Sequence, residues 1–237
     1  MHLLQEGGVL RPYTIINAVG TLDGRGAVDG KSTPIGSEVD HRLMRNIRAC
    51  VDAVLVGAGT LRSENLTLTV GDALAKRRKS FGLKEEPLSV ILTGSGHIPA
   101  DRRIFRAGKE SVLVFAGAET NPENVAELSE LATVRVLASN NGFPDPVKVL
   151  ETLTIEFGVR RLLVEGGPSV NRSFIEGRLV DEVFLTLAPK IAGGDARSLI
   201  EGAPLPSEKV SPSLTSIHLS DSEIYLRYRL HYHPQEP

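Results

Sequence analysis

Short runs of branched aliphatic residues, separated by amphipathic stretches, constrain this 237-residue chain more than any other feature. Ala53-Val54-Leu55-Val56, between Asp52 and Gly57, is apolar throughout rather than alternating, the pattern of a strand covered on both faces in a parallel sheet. Runs of the same kind recur over 88–92, 112–115, 134–137 and 162–164. Between them, Asn121-Pro122 and Asp145-Pro146 each place a capping oxygen before a proline, a helix start, ahead of Leu128 and Leu131 and of Val149 and Leu153. Ser37-Glu38-Val39-Asp40 has capping-box character, and Val39, Leu43, Met44, Ile47 and Val51 follow at helical spacing, which predicts a helix over about 37–50. Tyr13-Thr14-Ile15-Ile16 predicts a first strand feeding the polar, glycine-rich loop 20–30. The rhythm of buried strands and helices predicts an α/β fold with a mostly parallel central sheet flanked by helices on both faces. At the far end, Ile224, Leu226, Tyr228, Leu230 and Tyr232 alternate after Asp221-Ser222, which predicts a C-terminal antiparallel hairpin. No repeat or linker interrupts the pattern, so residues 11–233 are expected to form a single domain, with 76–86 as a solvated excursion.

Composition removes whole classes of function. With 27 basic against 29 acidic residues and a formal net charge of -2, the chain has no broad cationic field for nucleic acid. A single cysteine, Cys50, excludes an internal disulfide framework and a cysteine-rich metal centre. The histidines are scattered, and His231-x-His233 lacks a third strong ligand nearby, so no metal is expected and the pair reads as solvated tail. No apolar stretch approaches the ~20 residues of a membrane span. A soluble, cytoplasmic protein is the expectation. Phosphate loops, the Gly-x-Ser-x-Gly nucleophile elbow and the zinc-deaminase signature are all missing from the sequence.

Three glycine-rich segments fall where strands should end, and open α/β sheets build their ligand crevices there. Thr21-Leu22-Asp23-Gly24 reads either as a tight turn or as part of such a crevice. Val56-Gly57-Ala58-Gly59-Thr60 has Arg62 at the third glycine position of the dinucleotide fingerprint, so a standard Rossmann domain is not supported. Leu163-Val164-Glu165-Gly166-Gly167-Pro168-Ser169 is the most informative, because a buried strand runs through Gly-Gly into a helix opened by Pro168. The free N–H groups of such a helix start can seat a phosphate or pyrophosphate. Glu165, a carboxylate at the end of a buried strand, has to be paired, hydrogen-bonded or facing a ligand cleft.

Taken together these segments resemble the pyrimidine reductases of riboflavin biosynthesis, both the stand-alone enzymes and the reductase half of the bifunctional deaminase-reductases. The matching pieces run from Asn17 and Thr21-Leu22-Asp23-Gly24 through Ile47–Thr60, Leu66-Thr67-Leu68-Thr69-Val70, Leu163–Gly167 and Leu179-Val180-Asp181-Glu182-Val183 to Ala188-Pro189-Lys190-Ile191-Ala192-Gly193-Gly194. The resemblance implies a dihydrofolate-reductase-like fold, NADPH as hydride donor and a homodimer. It implies, as substrate, an aminopyrimidine carrying ribosylamino 5′-phosphate, reduced at C1′ to the ribityl product. By position it implies cofactor contacts at Val19, Gly20, Pro34, Gly57, Gly59, Thr60, Glu64, Gly94 and Gly166, Gly167, Pro168, Ser169, Val170 and Asn171. Substrate contacts are implied at Asn17, Ser32, Arg48, Leu68 and Glu165, with Glu165 and Asp23 as the catalytic candidates.

In that reading the ring-opened imine of the ribosylamine accepts hydride, and the protein fixes distance, face and local charge. Arg48 could meet the substrate phosphate, for which a guanidinium fork is suited. The chain departs from the bifunctional enzymes where Gly71-Asp72 replaces a basic residue after Val70, where Asn65-Leu66 replaces Asp-Pro, and where Thr93-Gly94 replaces Asp-Ser. Lys76, Arg77 or Arg78 could supply the missing charge. Reduction of a pterin, dihydrofolate or another small heterocycle on the same fold is the alternative, with a non-catalytic NADP-binding dimer as a third reading.

Overall fold

The structure, a computed structural model, describes residues 4–6, 9–28, 30–140, 142–203 and 210–233. In chain order its elements are β1 (Leu4–Glu6), β2 (Val9–Arg11), β3 (Tyr13–Thr21), α1 (Glu38–Arg48), β4 (Ala53–Gly57), α2 (Ala58–Ser63), α3 (Asp72–Ser80), β5 (Leu88–Thr93), β6 (Val112–Gly117), α4 (Pro122–Leu131), β7 (Thr133–Leu137), β8 (Ser139–Asn140) and β9 (Phe143–Pro144). They continue with α5 (Pro146–Ile155), β10 (Arg161–Val164), α6 (Pro168–Glu176), β11 (Glu182–Ala188), β12 (Val210–Ser220) and β13 (Glu223–Tyr232). Within the 11–233 span, the chain packs as two compact units. One is drawn from Arg45–Leu163 with the N-terminal residues up to Tyr13, the other from Thr14–Met44 with the residues from Val164 on.

The first unit is built on parallel strands. β4 pairs with β5, β5 with β6 and β6 with β7, all parallel. Every residue of β4 and β6 is buried, which is why those runs carry no polar alternation. Covering each Val or Leu there contributes about 1.5–3 kcal/mol. β7 departs from this expectation: it pairs only with β6 and is half-exposed, with Val136 at 50%, because it is the edge of the parallel set. Its apolar run covers one face only. Both Xaa-Pro helix starts form as expected: Asn121 accepts from Glu123 N at 2.9 Å to cap α4, and Asp145 accepts from Val147 N at 2.9 Å to cap α5.

The stretch 76–86, expected as a solvated excursion, takes in the second half of α3 and is mostly exposed, but one of its basic residues faces inward. Arg78 is 2% exposed, and its guanidinium donates to the carbonyls of Ala49 and Val51 just beyond α1 at 3.0 and 2.6 Å, and to Lys84 O at 2.9 Å. The Ala49 and Val51 carbonyls lie just past the end of α1, where the helix no longer supplies donors of its own. Arg78 is therefore spent on the scaffold, which removes it from the residues that could supply charge after Gly71. Lys76 and Arg77 remain exposed.

In the second unit β3 runs parallel to β11, with Ile15 opposite Glu182 and Thr21 opposite Ala188. β11 pairs antiparallel with β13, and β13 antiparallel with β12. This is the expected C-terminal hairpin, longer than its alternating core and turned at Asp221, which takes φ 53°. His231 lies on β13, not in a tail, and shares a hydrogen bond with Ser213 Oγ at 2.8 Å. Glu182 is 1% exposed, and Arg227 matches it with donors at 2.8 and 3.0 Å, the fork geometry that makes a buried carboxylate tolerable. α1 begins as its capping signal implies, with Ser37 Oγ accepting from Val39 N at 3.1 Å and Asp40 N at 3.3 Å.

Candidate active site

Strand ends and helix starts position the candidate residues, and each unit brings its own group together. In the second unit β10 ends at Val164, and Glu165, half-buried, is the next residue. Gly166 takes φ 86°, which a side chain would resist, the Gly166–Gly167 peptide is cis, and Pro168 opens α6 with no side chain capping its first turn. Asn171, one turn into α6, is 5% exposed. Its Nδ2 donates to Leu199 O at 3.0 Å, so its Oδ1 is turned the other way, and that oxygen has no hydrogen-bond partner among the described residues. A Cβ added at Gly166 would sit 3.5–3.6 Å from the Asn171 amide. The Glu-Gly-Gly-Pro turn therefore presents uncapped N–H groups, a buried acceptor and a carboxylate within a few residues.

The loop after β3 closes against the segment that follows β11. Asp23 is exposed, but its carboxylate accepts from Thr21 Oγ1 at 2.5 Å, Ala192 N at 3.1 Å and Gly193 N at 2.7 Å. The Thr21 bond and these backbone bonds lower its pKa to about 2. Asp23 is thus an ionised acceptor that ties two loops, with no proton to give near neutrality. Asn17 and Val19 lie on one face of β3, two residues apart, and both are half-buried. At Gly20 a Cβ would come within 3.1 Å of the Leu199 side chain, so the glycine there serves the close approach of Leu199.

Sequence reasoning missed a carboxyl cluster around the start of α1. Asp40 is 8% exposed; burial, chiefly, together with the charges of Glu223 and Glu165, raises its pKa, while a hydrogen bond from Thr186 opposes the shift. Glu223, 4% exposed, goes the other way: burial would raise it, but bonds from Ser37 and Tyr225 and the charge of Lys190 hold it below the usual carboxylate range. Tyr225, buried beside Glu223, is pushed up to about 12. No spacing in the sequence links position 40 to position 223; only the capping Ser37 hinted at a carboxylate partner, and that partner comes from β13. Because folded Asp40 binds its proton more tightly than the unfolded chain does, this residue costs stability as pH rises through its elevated pKa. Asp40→Asn is accordingly expected to melt higher than the parent at about pH 8 and to lose that advantage by about pH 4. A melting temperature equal to or below the parent at both values would show that the carboxylate is not penalised.

In the first unit, Gly57 is the N-cap of α2, and Gly59 is open, since a Cβ there would meet nothing closer than Arg62 at 3.8 Å. Thr60 and Glu64 accompany it, Glu64 being 8% exposed. Gly94 is required by packing: a Cβ would lie 2.3 Å from Gly142 O. Arg48 does not project as an exposed helix arginine. It is 5% exposed, and its Nη1 donates to Thr67 O and Thr69 O at 3.1 Å each, bracing the loop that carries buried Leu68. Ser32 is half-buried and Pro34 exposed on the turn before α1, in the second unit. Among the described residues no group of His, Cys, Asp and Glu could hold a metal ion.

Residues 12–226 match the model of the RibD C-terminal domain. The chain is 35% identical over 194 residues to the 2,5-diamino-6-ribosylamino-4(3H)-pyrimidinone 5′-phosphate reductase of Methanothermobacter thermautotrophicus, covering 81% of this chain and 85% of that one. In architecture it is similar to a pyrimidine reductase-like protein from Corynebacterium diphtheriae, with a TM-score of 0.81 at 24% identity over 94% and 93% of the two chains. The dihydrofolate reductase of Enterococcus faecalis shares the fold at a TM-score of 0.50 and 12% identity, over 92% of this chain and 96% of that one.

Proposed function

The chain belongs to the RibD C-terminal domain family, and on that premise we propose that it is an NADPH-dependent reductase of riboflavin biosynthesis acting on a ribosylamino-pyrimidine 5′-phosphate. The observation that carries this reading is the Glu165-to-Asn171 turn, where a half-buried carboxylate precedes an uncapped helix start and a buried amide oxygen without a partner among the described residues. Asn171 Oδ1 can only accept, so it suits an N–H or O–H group of a dinucleotide, while the first N–H groups of α6 suit its phosphates. Both features fit the group. NADPH supplies, when bound, a hydride for C1′ of the open-chain imine.

The residues of this chain do the rest. Glu165 either stabilises the cationic imine before hydride arrives or accepts from the amino groups of the pyrimidine. Asp23 fixes the loop after β3 against Ala192 and Gly193 rather than moving a proton. Arg48 holds the 67–69 backbone and so places Leu68. We assign the remaining positions, Val19, Gly20, Pro34, Gly57, Gly59, Thr60, Glu64, Gly94 and Gly166 to Val170 to cofactor, and Asn17 and Ser32 to substrate, on the family resemblance. A homodimer in the cytoplasm belongs to the same reading.

A direct assay tests it. Purified protein is mixed with NADPH and either the ribosylaminopyrimidine phosphate or dihydrofolate, and loss of reduced-nicotinamide absorbance is followed. Oxidation with the pyrimidine alone is the expected outcome. Oxidation with dihydrofolate alone would move the activity to pterins, and NADPH binding without turnover on either would leave a binding protein.

A further inference from the structure

The turn that carries Ser32 and Pro34 is tied down from the far end of the chain, entirely within the second unit. Lys190, two residues past β11, donates from Nζ to Pro34 O. Glu223, the first residue of β13, accepts from Ser37 N at 2.8 Å and Ser37 Oγ at 2.5 Å, and also from the Tyr225 hydroxyl. Between these ties the turn closes on itself, with Ile35 N donating to Ser32 O at 2.9 Å and the Ile35 side chain fully buried. At Gly36 a Cβ would sit 2.1 Å from Asp40 Oδ2, so a side chain there would have to displace the Asp40 carboxylate. Thr33 and Pro34 are left facing out.

The arrangement is more than helix capping. Ser37 Oγ alone already caps α1 through Val39 N and Asp40 N, so the helix start does not need Glu223. A buried carboxylate is costly unless donors surround it, and here two of the three come from the residue that ends the turn. Lys190, exposed itself, spends its ammonium on a backbone carbonyl of the same turn. We propose that Lys190 and Glu223 are positioning residues that hold the Ser32–Gly36 turn in the geometry in which Pro34 receives the dinucleotide and Ser32 the substrate. The inference rests on the functional reading above, which gives Ser32 and Pro34 those roles; neither Lys190 nor Glu223 touches ligand in it.

Lys190→Met, Lys190→Arg and Glu223→Gln in the full chain test it, with two measurements. Without ligand, amide hydrogen exchange at residues 35–40 is expected to speed up about tenfold in Lys190→Met and Glu223→Gln while α6 keeps its protection. With NADPH, calorimetric affinity is expected to fall about tenfold in the same two variants, because the turn must then be ordered on binding, and Lys190→Arg is expected to recover most of it. Turnover at saturating NADPH stays within a few-fold of wild type, which separates positioning from chemistry. Lys190→Met with wild-type exchange, or with loosened exchange but wild-type NADPH affinity, overturns the proposal alone. A wild-type chain that binds no NADPH overturns the functional reading, and this inference with it.

Discussion

Arg78→Ala is expected to cost about 3–5 kcal/mol of folding stability, from buried carbonyls left without donors and the cavity opened beside them. The guanidinium is 2% exposed and reaches the carbonyls of Arg48, Ala49 and Val51 from one nitrogen and Lys84 O from another. Three of these close the end of α1, where the helix dipole places partial negative charge that a cation satisfies. Burial lowers the Arg78 pKa, and the charges of Asp52 and Glu86 offset part of that, so the group stays cationic in its pocket. Truncation leaves buried carbonyls without donors, at about 1–3 kcal/mol for each one water cannot reach, and opens a cavity as well. At about 2–4 °C per kcal/mol for a chain of this size, the melting temperature should drop by roughly 10 °C. Arg78→Lys should recover only part of this, since one ammonium cannot span the same carbonyls. Lys79→Ala, which removes a pair with Glu85 that is 71% and 59% exposed, should leave the melting temperature essentially unchanged. Arg78→Ala within about 1 kcal/mol of wild type in urea melts would show that water replaces the guanidinium freely.

The contrast between those two neighbours shows where the sequence was readable. Repeated apolar runs carried β4, β5, β6 and β10, because a strand covered on both faces has no room for polar residues. Asn121 and Asp145 marked their helices within a residue, because capping is local. The hairpin announced itself through alternation. β11 did not, because its buried Glu182 and Thr186 break the apolar pattern, and both are satisfied by partners distant in sequence, Arg227 and Asp40. Arg78 looked like one more solvated cation in a charged stretch, and only the carbonyls at the end of α1 distinguish it. The site divides along the same line. Glu165 and the Gly166-Gly167-Pro168 turn are local and stood out, whereas the Ser37–Glu223 tie spans 186 positions and has no local signature.

Glu165→Gln carries the other large expected effect, a loss of about 10²–10³ in kcat/KM for the pyrimidine, the range found when one group aimed at transition-state charge is removed. The substitution keeps the shape and the acceptor oxygen but removes the charge. NADPH affinity should therefore stay near wild type, since the uncapped N–H groups of α6 and Asn171 Oδ1 are untouched. How the loss divides decides what the carboxylate does. If Glu165 stabilises the cationic imine, kcat falls and KM barely moves, because the electrostatic benefit is realised only as the electrophile is held for hydride. If it grips the amino groups of the pyrimidine, KM rises and kcat is largely kept. Asp40 supplies an internal control. Its ionisation is opposed by the charge on Glu165, so Glu165→Gln should also shrink the melting-temperature advantage of Asp40→Asn at about pH 8. Unchanged kinetics together with an undiminished Asp40→Asn advantage would remove Glu165 from both the reaction and the carboxyl cluster.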